Sequence, residues 1–275
     1  MSNAWGIRRL EQAYILERPE DRGAVIAFSL RTGGCSSGPF KSLNFSALAG
    51  DSEKNISNNL NILSNHLNIL SSDIISCQQE HGDNILIFNE LPEKQMRGDA
   101  IIALKVGIYP SVKTADCLPI LIIDPVTKIS AAIHAGWKGT VLRISRKVVM
   151  TMTTNLGCKR ENLLVALGPA IGLCCYEVDE AVIEPLFSSI PWAEKFSVQV
   201  KSDSRKFVKK SKIDLGSINR QEFIESGILA ENVYFLNKCT SCNKGELYSY
   251  RRDGKISGRA IAITGFRPLE NNRSF

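Results

Sequence analysis

The chain has 275 residues, 44% of them hydrophobic, and a formal net charge of +6 at pH 7. A chain of this length can bury a large core. Its longest apolar runs, such as residues 118–123, are far shorter than the roughly 20 residues of a membrane-spanning helix. The charged start, residues 1–11, also lacks the apolar segment of a signal peptide. These features exclude a membrane span and predict a protein that is not secreted.

The cysteine content and the charge distribution restrict the expected cellular compartment and the expected binding partners. Eight cysteines are scattered through predicted strands and turns, which is unlike the dense framework of a small secreted module and predicts a reducing, cytoplasmic location. The basic residues are dispersed except in segment 201–212, where acidic residues and serines intervene. We interpret this segment as linker-like and expect a solvated basic surface rather than a nucleic-acid groove.

Apolar stretches rich in β-branched residues recur along the chain, mostly bounded by Gly, Pro, Asp or Asn. They predict strands over residues 24–30, 85–88, 99–104, 118–123, 129–134, 163–167, 233–236 and 260–264. Several of these strands follow one another closely, so some antiparallel pairing is expected. With the helices described next, the class is α/β or α+β with a mixed sheet, and we expect one domain, residues 1–275.

Three helices are predicted between the strands. The first is indicated by apolar residues at four- and three-residue spacing, typical of an amphipathic helix that lies on a sheet: Ile56, Leu60, Leu63, Leu67 and Leu70. The second is expected over residues 141–155, with Thr140 as its N-cap and Gly157 as its stop signal. The third covers residues 179–187 and contains Pro185.

Two of the three histidines stand in short polar turns beside a glycine. His81 precedes the strand predicted at 85–88, and His134 closes the strand predicted at 129–134. Strand ends at such turns are where α/β folds carry reactive side chains. For each histidine taken singly, a hydrogen-bonded structural role is the alternative.

Cys117 lies between these histidines in the sequence, after Asp116 and at the start of an apolar strand. Two imidazoles and a thiolate match the three-ligand pattern of catalytic zinc, whose fourth position holds a water with its pKa lowered to about 7. A cysteine beside Leu118 is also a common packing residue. Spacing alone leaves both interpretations open.

Three glycine-rich loops offer candidate phosphate sites. The turn 136–139 carries Lys138 and runs into a predicted helix, where backbone N–H groups and the helix dipole favour an anion. Arg31 opens the loop 31–39, and Arg251 belongs to the loop 250–254; guanidinium groups suit bidentate phosphate contacts. Each loop can equally be an ordinary turn that needs glycine for its backbone.

Cys239 and Cys242 form a C-x-x-C pair. No second pair stands at zinc-ribbon spacing, and no thioredoxin-like βαβ context surrounds them. We interpret these two cysteines, and the adjacent Cys174 and Cys175, as ordinary thiols.

Several motifs follow one another along most of the chain. They are R-T-G-G-C-S-S-G-P-F-K-S-L-N at 31–44, Q-E-H-G at 79–82, T-A-D-C-L-P at 114–119, H-A-G-W-K-G-T at 134–140, G-P-A-I-G-L-C-C-Y-E-V at 168–178, C-T at 239–240 and Y-S-Y-R-R-D-G at 248–254 followed by G-R at 258–259. In this order they resemble the laccase-domain family, described as multicopper polyphenol oxidases and as purine nucleoside phosphorylases. Glu80 and Lys138 depart from the usual apolar residue and arginine, and Lys138 would weaken a bidentate phosphate contact.

The resemblance implies a layered α/β sandwich fold. It also implies a zinc ion held by His81, Cys117 and His134, which would also be the catalytic residues, with copper as the less favoured metal. It implies phosphorolysis of adenosine, inosine and S-methyl-5'-thioadenosine to free base and ribose 1-phosphate, plus adenosine deamination. A zinc-activated water facing purine C6 would account for deamination, with Asp116 as a candidate acid.

For phosphorolysis, the resemblance and the loop chemistry together suggest which residues bind phosphate and substrate. We assign Arg31, Asn44, Lys138 and Arg251 to this role. The expected partners are purine nucleosides and phosphate, with no nucleic acid, no membrane and no obligate protein partner.

Three other functions compete with this interpretation. Because copper prefers imidazole ligands, a laccase-type set of copper centres needs roughly ten histidines. The sequence has three. A metal-free cysteine hydrolase or amidase, for example one that edits peptidoglycan precursors, would use Cys117 with His81 or His134 as base. A nucleotide- or RNA-binding module would bind in a salt-sensitive way and tolerate Cys117→Ala.

Overall fold

Two six-stranded sheets form the centre of the fold. The computed structural model describes residues 5–17, 23–200 and 210–268. Within them the strands are β1 (Gly6–Arg9), β2 (Ala13–Glu17), β3 (Ala24–Ser29), β4 (Ile74–Ser76), β5 (Ile85–Phe88), β6 (Ala100–Ala103), β7 (Tyr109–Thr114), β8 (Leu118–Asp124), β9 (Ile129–Ala135), β10 (Leu164–Leu167), β11 (Glu177–Asp179), β12 (Ser197–Val200), β13 (Lys210–Ile213), β14 (Val233–Phe235) and β15 (Ala260–Phe266).

Both large sheets are mixed, as the sequence predicts. The first has the order β1-β2-β3-β15-β7-β4 and the second the order β14-β10-β8-β9-β6-β5, and β11-β13-β12 form a small third sheet. Most neighbours are antiparallel, whereas β4 with β7, β5 with β6 and β10 with β14 are parallel. All eight predicted strands are confirmed, with ends within two residues of the prediction. β7 escaped prediction because Pro110 and Lys113 interrupt its apolar pattern.

Six α-helices surround the sheets in the described part of the chain. They are α1 (Glu53–His66), α2 (Trp137–Val141), α3 (Ile144–Met150), α4 (Glu180–Ser189), α5 (Leu215–Glu225) and α6 (Tyr250–Asp253). A π-helical turn (Thr151–Asn155) continues α3. Short 3-10 turns occur at Gly38–Phe40, Ser71–Asp73, Arg160–Asn162, Pro191–Phe196, Ala230–Asn232 and Gly254–Ile256. None of the described helices is long and apolar enough to cross a bilayer.

The first predicted helix is confirmed as α1. Ser52 caps it, because its side chain accepts the N–H of Asn55 at 3.1 Å. Leu63 and Leu67 of the predicted apolar stripe are buried, but Leu70 lies beyond the helix and is 66% exposed.

The second predicted helix, over residues 141–155, is wrong at its start. The helical region begins after Gly136, and Arg143 in a left-handed conformation (φ 58°) divides it into α2 and α3. Thr140 is therefore a buried residue inside α2 and not an N-cap. The physical reason is a tertiary contact, because the Arg143 guanidinium donates to both carboxylate oxygens of Glu222 on α5, at 3.0 and 2.9 Å.

The third predicted helix is confirmed as α4, with Pro185 inside it and Asp179 accepting the N–H of Ala181 at 3.2 Å. The linker-like segment predicted over 201–212 is only partly described. Residues 201–209 lie outside the described residues, and 210–212 belong to β13, so that end is a strand and not a linker.

The two large sheets face each other across a shared core, which confirms the predicted layered sandwich. This core joins residues of both sheets, including Phe28 and Val112 from the first and Leu121 and Ala132 from the second. α1 covers the outer face of the first sheet, and α3 and α5 cover the outer face of the second. A smaller core lies between α4 and the third sheet. That residues 1–275 form one domain stays a prediction.

Candidate functional site

The three predicted metal ligands meet at one edge of the second sheet. β8 and β9 pair antiparallel with Pro119 opposite His134, so Cys117, which directly precedes β8, lies beside His134. His81 reaches the same place from the turn after β4. The two imidazole rings stand edge to face with centroids 4.8 Å apart, and the donor atoms of the three residues all lie within 4.8 Å of one another. Residues far apart in the sequence thus form one cluster.

The donor set suits a four-coordinate metal ion with one open position. Bonds of about 2.1 Å to nitrogen and 2.3 Å to sulfur place the donors of a tetrahedral zinc ion about 3.3–3.8 Å apart. The observed spread of the three donors is compatible with this. His134 is buried, Cys117 half-buried and His81 exposed, so the fourth side of the cluster is accessible.

Asp99 holds two of the three ligands in place. This carboxylate is 1% exposed, and its Oδ1 accepts Nδ1–H of His134 at 2.8 Å and the backbone N–H of His81 at 2.9 Å. Its Oδ2 accepts the backbone N–H groups of Gly82 at 2.7 Å and Glu80 at 3.1 Å. Because an ionised carboxylate only accepts, Nδ1 of His134 carries a proton, which leaves Nε2 as the nitrogen that can bind a ligand once it loses its own proton. The same bonds hold His81 in its left-handed conformation (φ 61°).

Cys117 and His134 each shift the other's pKa. Burial alone would raise the pKa of the Cys117 thiol, but the charge of His134 and hydrogen bonds with both imidazoles lower this pKa to about 6. Burial alone would lower the pKa of His134, but the Cys117 thiolate and the Asp99 carboxylate raise it to about 9. The thiolate, which is the form that binds a metal or attacks an electrophile, is therefore available near neutral pH.

Asp116 fixes the backbone directly before Cys117. It has a left-handed φ of 91°. Its Oδ1 accepts the hydroxyl of Thr240 at 2.5 Å, and its Oδ2 accepts the backbone N–H of Arg251 at 2.6 Å. With both carboxylate oxygens engaged, Asp116 ties two loops to the start of β8. Its role as an acid, considered from the sequence, stays a prediction.

The cluster opens into a cavity of about 740 Å³. This volume lies within the range of about 300–1,000 Å³ that small-molecule sites occupy. Besides the metal ligands, its wall contains aromatic, cationic and amide side chains, among them Tyr176, Tyr250, Arg251, Arg259 and Gln79. A flat, polar molecule of moderate size therefore has both stacking surfaces and charged partners here.

Arg251 is anchored to the loop beside the cavity. Its Nη1 donates to the carbonyls of Cys175 at 3.3 Å and Glu177 at 2.9 Å, and its guanidinium lies 5.3 Å from the ring centroid of Tyr176. Its Nε and Nη2 make no hydrogen bond to any described residue. This side of the guanidinium is free to meet an anion.

Arg259 is held from both sides of its backbone. Its N–H donates to Oδ1 of the buried Asn44 at 2.8 Å, and its carbonyl accepts the N–H of Phe45 at 3.0 Å. Nη1 donates to the nearby carbonyls of residues 257 and 258, whereas Nε and Nη2 make no hydrogen bond within the described ranges. Burial lowers the pKa of Arg259, although the negative charges of Cys117 and Asp116 act to raise it. A half-buried guanidinium thus faces the cavity.

Of the four predicted phosphate- and substrate-binding residues, the structure brings only Arg251 to the metal-ligand cluster. Arg31 donates Nε, Nη1 and Nη2 to backbone carbonyls and does not line the cavity. Asn44 is fully buried behind the wall and reaches the cavity only through Arg259. Lys138 is exposed on α2, outside the lining.

Sequence reasoning missed Asp99 and Arg259. Asp99 stands at the start of a predicted apolar strand, where an isolated acid is an available signal of a buried hydrogen-bond partner. Arg259 belongs to the G-R motif at 258–259, but a single arginine after a glycine is too common to predict a binding role.

A methyl group at Gly136 is expected to weaken metal binding. A Cβ at this position would lie 3.0 Å from Sγ of Cys117 and 3.3 Å from Cδ2 of His81. We expect Gly136→Ala to displace the thiol and to lower metal affinity roughly tenfold, as changes next to metal ligands do. Chelator competition measures this affinity. Gly245→Ala is the matched control, since no atom lies within 4 Å of its Cβ, and equal affinities in the two variants would contradict the prediction.

Two facing mixed sheets, with a His–Cys–His cluster at one edge and a cavity beside it, define a class of α/β sandwich protein organised around side chains that could hold a metal ion. The family model described as "Multi-copper polyphenol oxidoreductase laccase" matches residues 25–267. The chain therefore belongs to this laccase-like family, and the resemblance seen in its motifs is confirmed.

Relatives with names extend the comparison over nearly the whole chain. "Purine nucleoside phosphorylase YlmD" of Geobacillus stearothermophilus is 31% identical over 268 residues, covering 90% of this chain and 92% of the relative. "Purine nucleoside phosphorylase YfiH" of Escherichia coli K12 is 32% identical over 245 residues, covering 89% and 95%. The crystal structure of YlmD from Geobacillus stearothermophilus has a TM-score of 0.86 at 28% identity and covers 97% of this chain and 100% of that one.

Proposed function

We propose that this chain is a zinc-dependent purine nucleoside phosphorylase that also deaminates adenosine. One observation carries the proposal: the cavity of about 740 Å³ has the cluster of His81, Cys117 and His134 in its wall together with the guanidinium groups of Arg251 and Arg259. The names of the relatives support the same reaction.

The cavity wall matches the parts of a purine nucleoside. The rings of Tyr176 and Tyr250 offer flat surfaces for a purine. The two arginines offer bidentate contacts for phosphate. We propose adenosine, inosine and S-methyl-5'-thioadenosine as substrates, since all three carry a purine on C1′. Phosphate binding by Arg31, Asn44 and Lys138 stays a prediction.

In phosphorolysis, a phosphate oxygen forms a bond to C1′ while the bond from C1′ to the purine nitrogen breaks. The electron pair of that bond goes to the purine, which takes up a proton, and the products are the free base and ribose 1-phosphate. Arg251 and Arg259 would hold the phosphate in line for this attack and neutralise part of its charge. Their fixed backbones favour such orientation without rearrangement.

Asp99 and Asp116 would prepare the metal site for either reaction. Asp99 keeps the proton on Nδ1 of His134, and Asp116 holds the backbone of Cys117 at the start of β8. A bound zinc ion would supply Lewis acidity and an activated water with a pKa near 7. Deamination adds water at purine C6 and releases ammonia, so it requires the purine edge to face this cluster.

The small number of histidines favours a single zinc ion over the several copper centres that the family's description implies. The third histidine, His66, lies on α1, where its Nδ1 bonds the carbonyl of Ile62 at 2.7 Å, and it does not line the cavity. A laccase-type set of copper centres needs roughly ten histidines. We therefore propose a single zinc ion at this cluster, with copper as the less favoured occupant.

The proposal is tested by incubating the purified protein with adenosine, with and without phosphate, and separating the products. Ribose 1-phosphate and adenine formed only with phosphate support phosphorolysis, and inosine formed in both conditions supports deamination. Chelation followed by zinc addition should remove and restore both activities. Absence of all these products in zinc-loaded protein rejects the proposal.

Arg259→Lys is expected to raise the KM for phosphate more than the KM for adenosine. A charge-assisted hydrogen bond contributes about 1.5–3 kcal/mol, and the lysine cannot form the bidentate contact. The KM for phosphate should therefore rise roughly tenfold or more. Steady-state kinetics at varied phosphate measure this. Arg146→Lys on the exposed surface of α3 is the control, and an unchanged KM in Arg259→Lys removes Arg259 from the phosphate site.

A second candidate function is favoured by the alignment of Cys117, His134 and Asp99. Thiol, imidazole and carboxylate form a connected chain, the arrangement of a cysteine hydrolase or amidase that could act on peptidoglycan precursors. The two candidates differ in metal dependence. Rapid alkylation of Cys117 in metal-free purified protein, together with amide hydrolysis, favours the hydrolase; zinc that protects the thiol favours the nucleoside enzyme.

We place the protein in the cytoplasm as part of the same proposal. None of the eight cysteines forms a disulfide, and a reducing compartment maintains that state. Purine nucleosides and phosphate are then its partners.

A further inference from the structure

Four cysteines form a second cluster, separate from the metal-ligand group of the cavity. Cys174 and Cys175 lie in the loop after β10, and Cys239 and Cys242 lie in the loop after β14. Sγ of Cys242 is 3.5 Å from Sγ of Cys174 and 3.4 Å from Sγ of Cys175. All four sulfur atoms lie within 4.8 Å of one another.

This arrangement gives these residues an alternative to the interpretation as ordinary thiols. The C-x-x-C pair Cys239–Cys242 does have a second pair of cysteines, but the fold supplies it rather than the sequence spacing. β10 and β14 run parallel as neighbours, so the loops that follow them leave the sheet at the same edge. A parallel bridge between Ala170 and Cys239 then ties the two loops together.

We propose that Cys174, Cys175, Cys239 and Cys242 bind one structural zinc ion. A tetrahedral site with Zn–S bonds of about 2.3 Å has sulfur atoms about 3.8 Å apart. A disulfide would require about 2.05 Å between two of them. The observed separations of 3.4 and 3.5 Å, with all four atoms within 4.8 Å, bracket this edge length, so small side-chain movements would complete the tetrahedron.

Backbone groups around the cluster favour thiolates. The N–H of Gly172 donates to Sγ of Cys239 at 3.3 Å. Gly172 packs so closely that a Cβ there would lie 3.2 Å from Cβ of Cys239 and 3.6 Å from Sγ of Cys174. The glycine thus allows a backbone donor to approach the sulfur atoms directly, as in metal–thiolate sites.

The charge of the filled site has local compensation. Zinc binding by four thiols releases four protons to solvent and leaves a net charge of about −2 on the metal and its ligands. Arg251 donates to the carbonyl of Cys175 at 3.3 Å, and Arg252 donates to the carbonyls of Thr240 and Ser241 at 2.8 and 3.1 Å. A guanidinium group therefore lies against each loop. The exposed thiols of the cluster give the ion a path from solvent.

The site would hold part of the cavity wall. Thr240 stands between Cys239 and Cys242, and its hydroxyl donates to Asp116, which precedes the active-site Cys117. Because four protein ligands leave no open position, a zinc ion here fixes the two loops and takes no direct part in catalysis.

Zinc content of purified variants tests the site independently of activity. We expect about two zinc ions per chain in the wild type, about one in Cys242→Ser, about one in His134→Ala and none in the double variant. Cys35→Ser is the matched control, because Cys35 is exposed and outside both clusters, and it should keep the wild-type content. If Cys242→Ser does not fold, Cys174→Ser replaces it as the ligand variant and should also contain about one zinc ion, since Cys174 is exposed as well.

A second measurement reports the ligands themselves. In His134→Ala protein reconstituted with Co²⁺, the remaining site should show strong thiolate-to-cobalt charge-transfer absorption, which Cys174→Ser weakens. Chelation should lower the unfolding temperature of His134→Ala and have little effect once Cys242 is also replaced. Equal zinc content in Cys242→Ser and wild type overturns the proposal. So does an intact mass that shows a disulfide within this cluster in freshly purified protein. Loss of nucleoside turnover without a change in the zinc content of the four-cysteine cluster concerns only the proposed site of His81, Cys117 and His134.

Discussion

A His134→Ala variant is expected to lose phosphorolysis and deamination completely while keeping the native fold, and Cys117→Ser is expected to do the same. Changes to hydrogen-bond partners of metal ligands already cost roughly 10–100-fold in metal affinity or activity, so removal of a ligand costs more. The two remaining donors cannot hold the ion in a fixed geometry. Product formation measures the loss of turnover, zinc content measures the loss of the ion, and circular dichroism measures retention of the fold.

His66→Ala is the matched control for the loss of an imidazole. His66 is exposed on α1 and lies outside the cavity, so its replacement should leave turnover unchanged. Retained turnover in folded His134→Ala or Cys117→Ser would refute the assignment of these residues as ligands.

Asp99→Asn is expected to have the second-largest effect. The carboxylate accepts four N–H groups, one of them from the ring of His134, whereas an asparagine must turn an NH₂ donor towards some of these donors. We expect metal affinity to fall roughly 10–100-fold and the free energy of unfolding to fall by about 1–3 kcal/mol. Zinc titration and chemical denaturation measure the two effects.

A positioning role predicts rescue by metal. Excess zinc should restore turnover in Asp99→Asn but not in His134→Ala, because only the former keeps all three ligands. Asp51→Asn is the control, since Asp51 also accepts several hydrogen bonds, from Ser36, Asn44 and Asn55, but lies outside the metal-ligand cluster. It should lose stability and keep its zinc. Unchanged zinc affinity in Asp99→Asn would contradict the role given to Asp99.

Local pattern predicted the centre of the fold well. β8 and β9 are buried at every residue, so each appears in the sequence as a mainly apolar run, which in β9 is interrupted by Ser130 and His134. α1 was visible because its apolar residues fall on one face. The division between α2 and α3 was not visible, because the ion pair of Arg143 with Glu222 joins segments far apart in the chain.

The candidate site was only partly predictable for the same reason. His81, Cys117 and His134 stand in distinctive motifs, and β8–β9 pairing brings two of them together. Arg259 comes from the chain segment before β15 and lines the cavity, whereas Arg31 uses its donors on neighbouring carbonyls. Residue type indicates which groups can bind phosphate, but tertiary contacts decide which of them face a cavity.

The sequence by itself determined the apolar strands and the amphipathic helix, since these depend on residue type and local periodicity. Its motifs also indicated His81, Cys117 and His134 as candidate metal donors. Only the tertiary structure decided that Asp99 orients His134, that Arg259 faces the cavity and that two cysteine pairs meet. These features arise where strand pairing and core packing bring together loops that are distant along the chain. Local sequence carries no record of such distances.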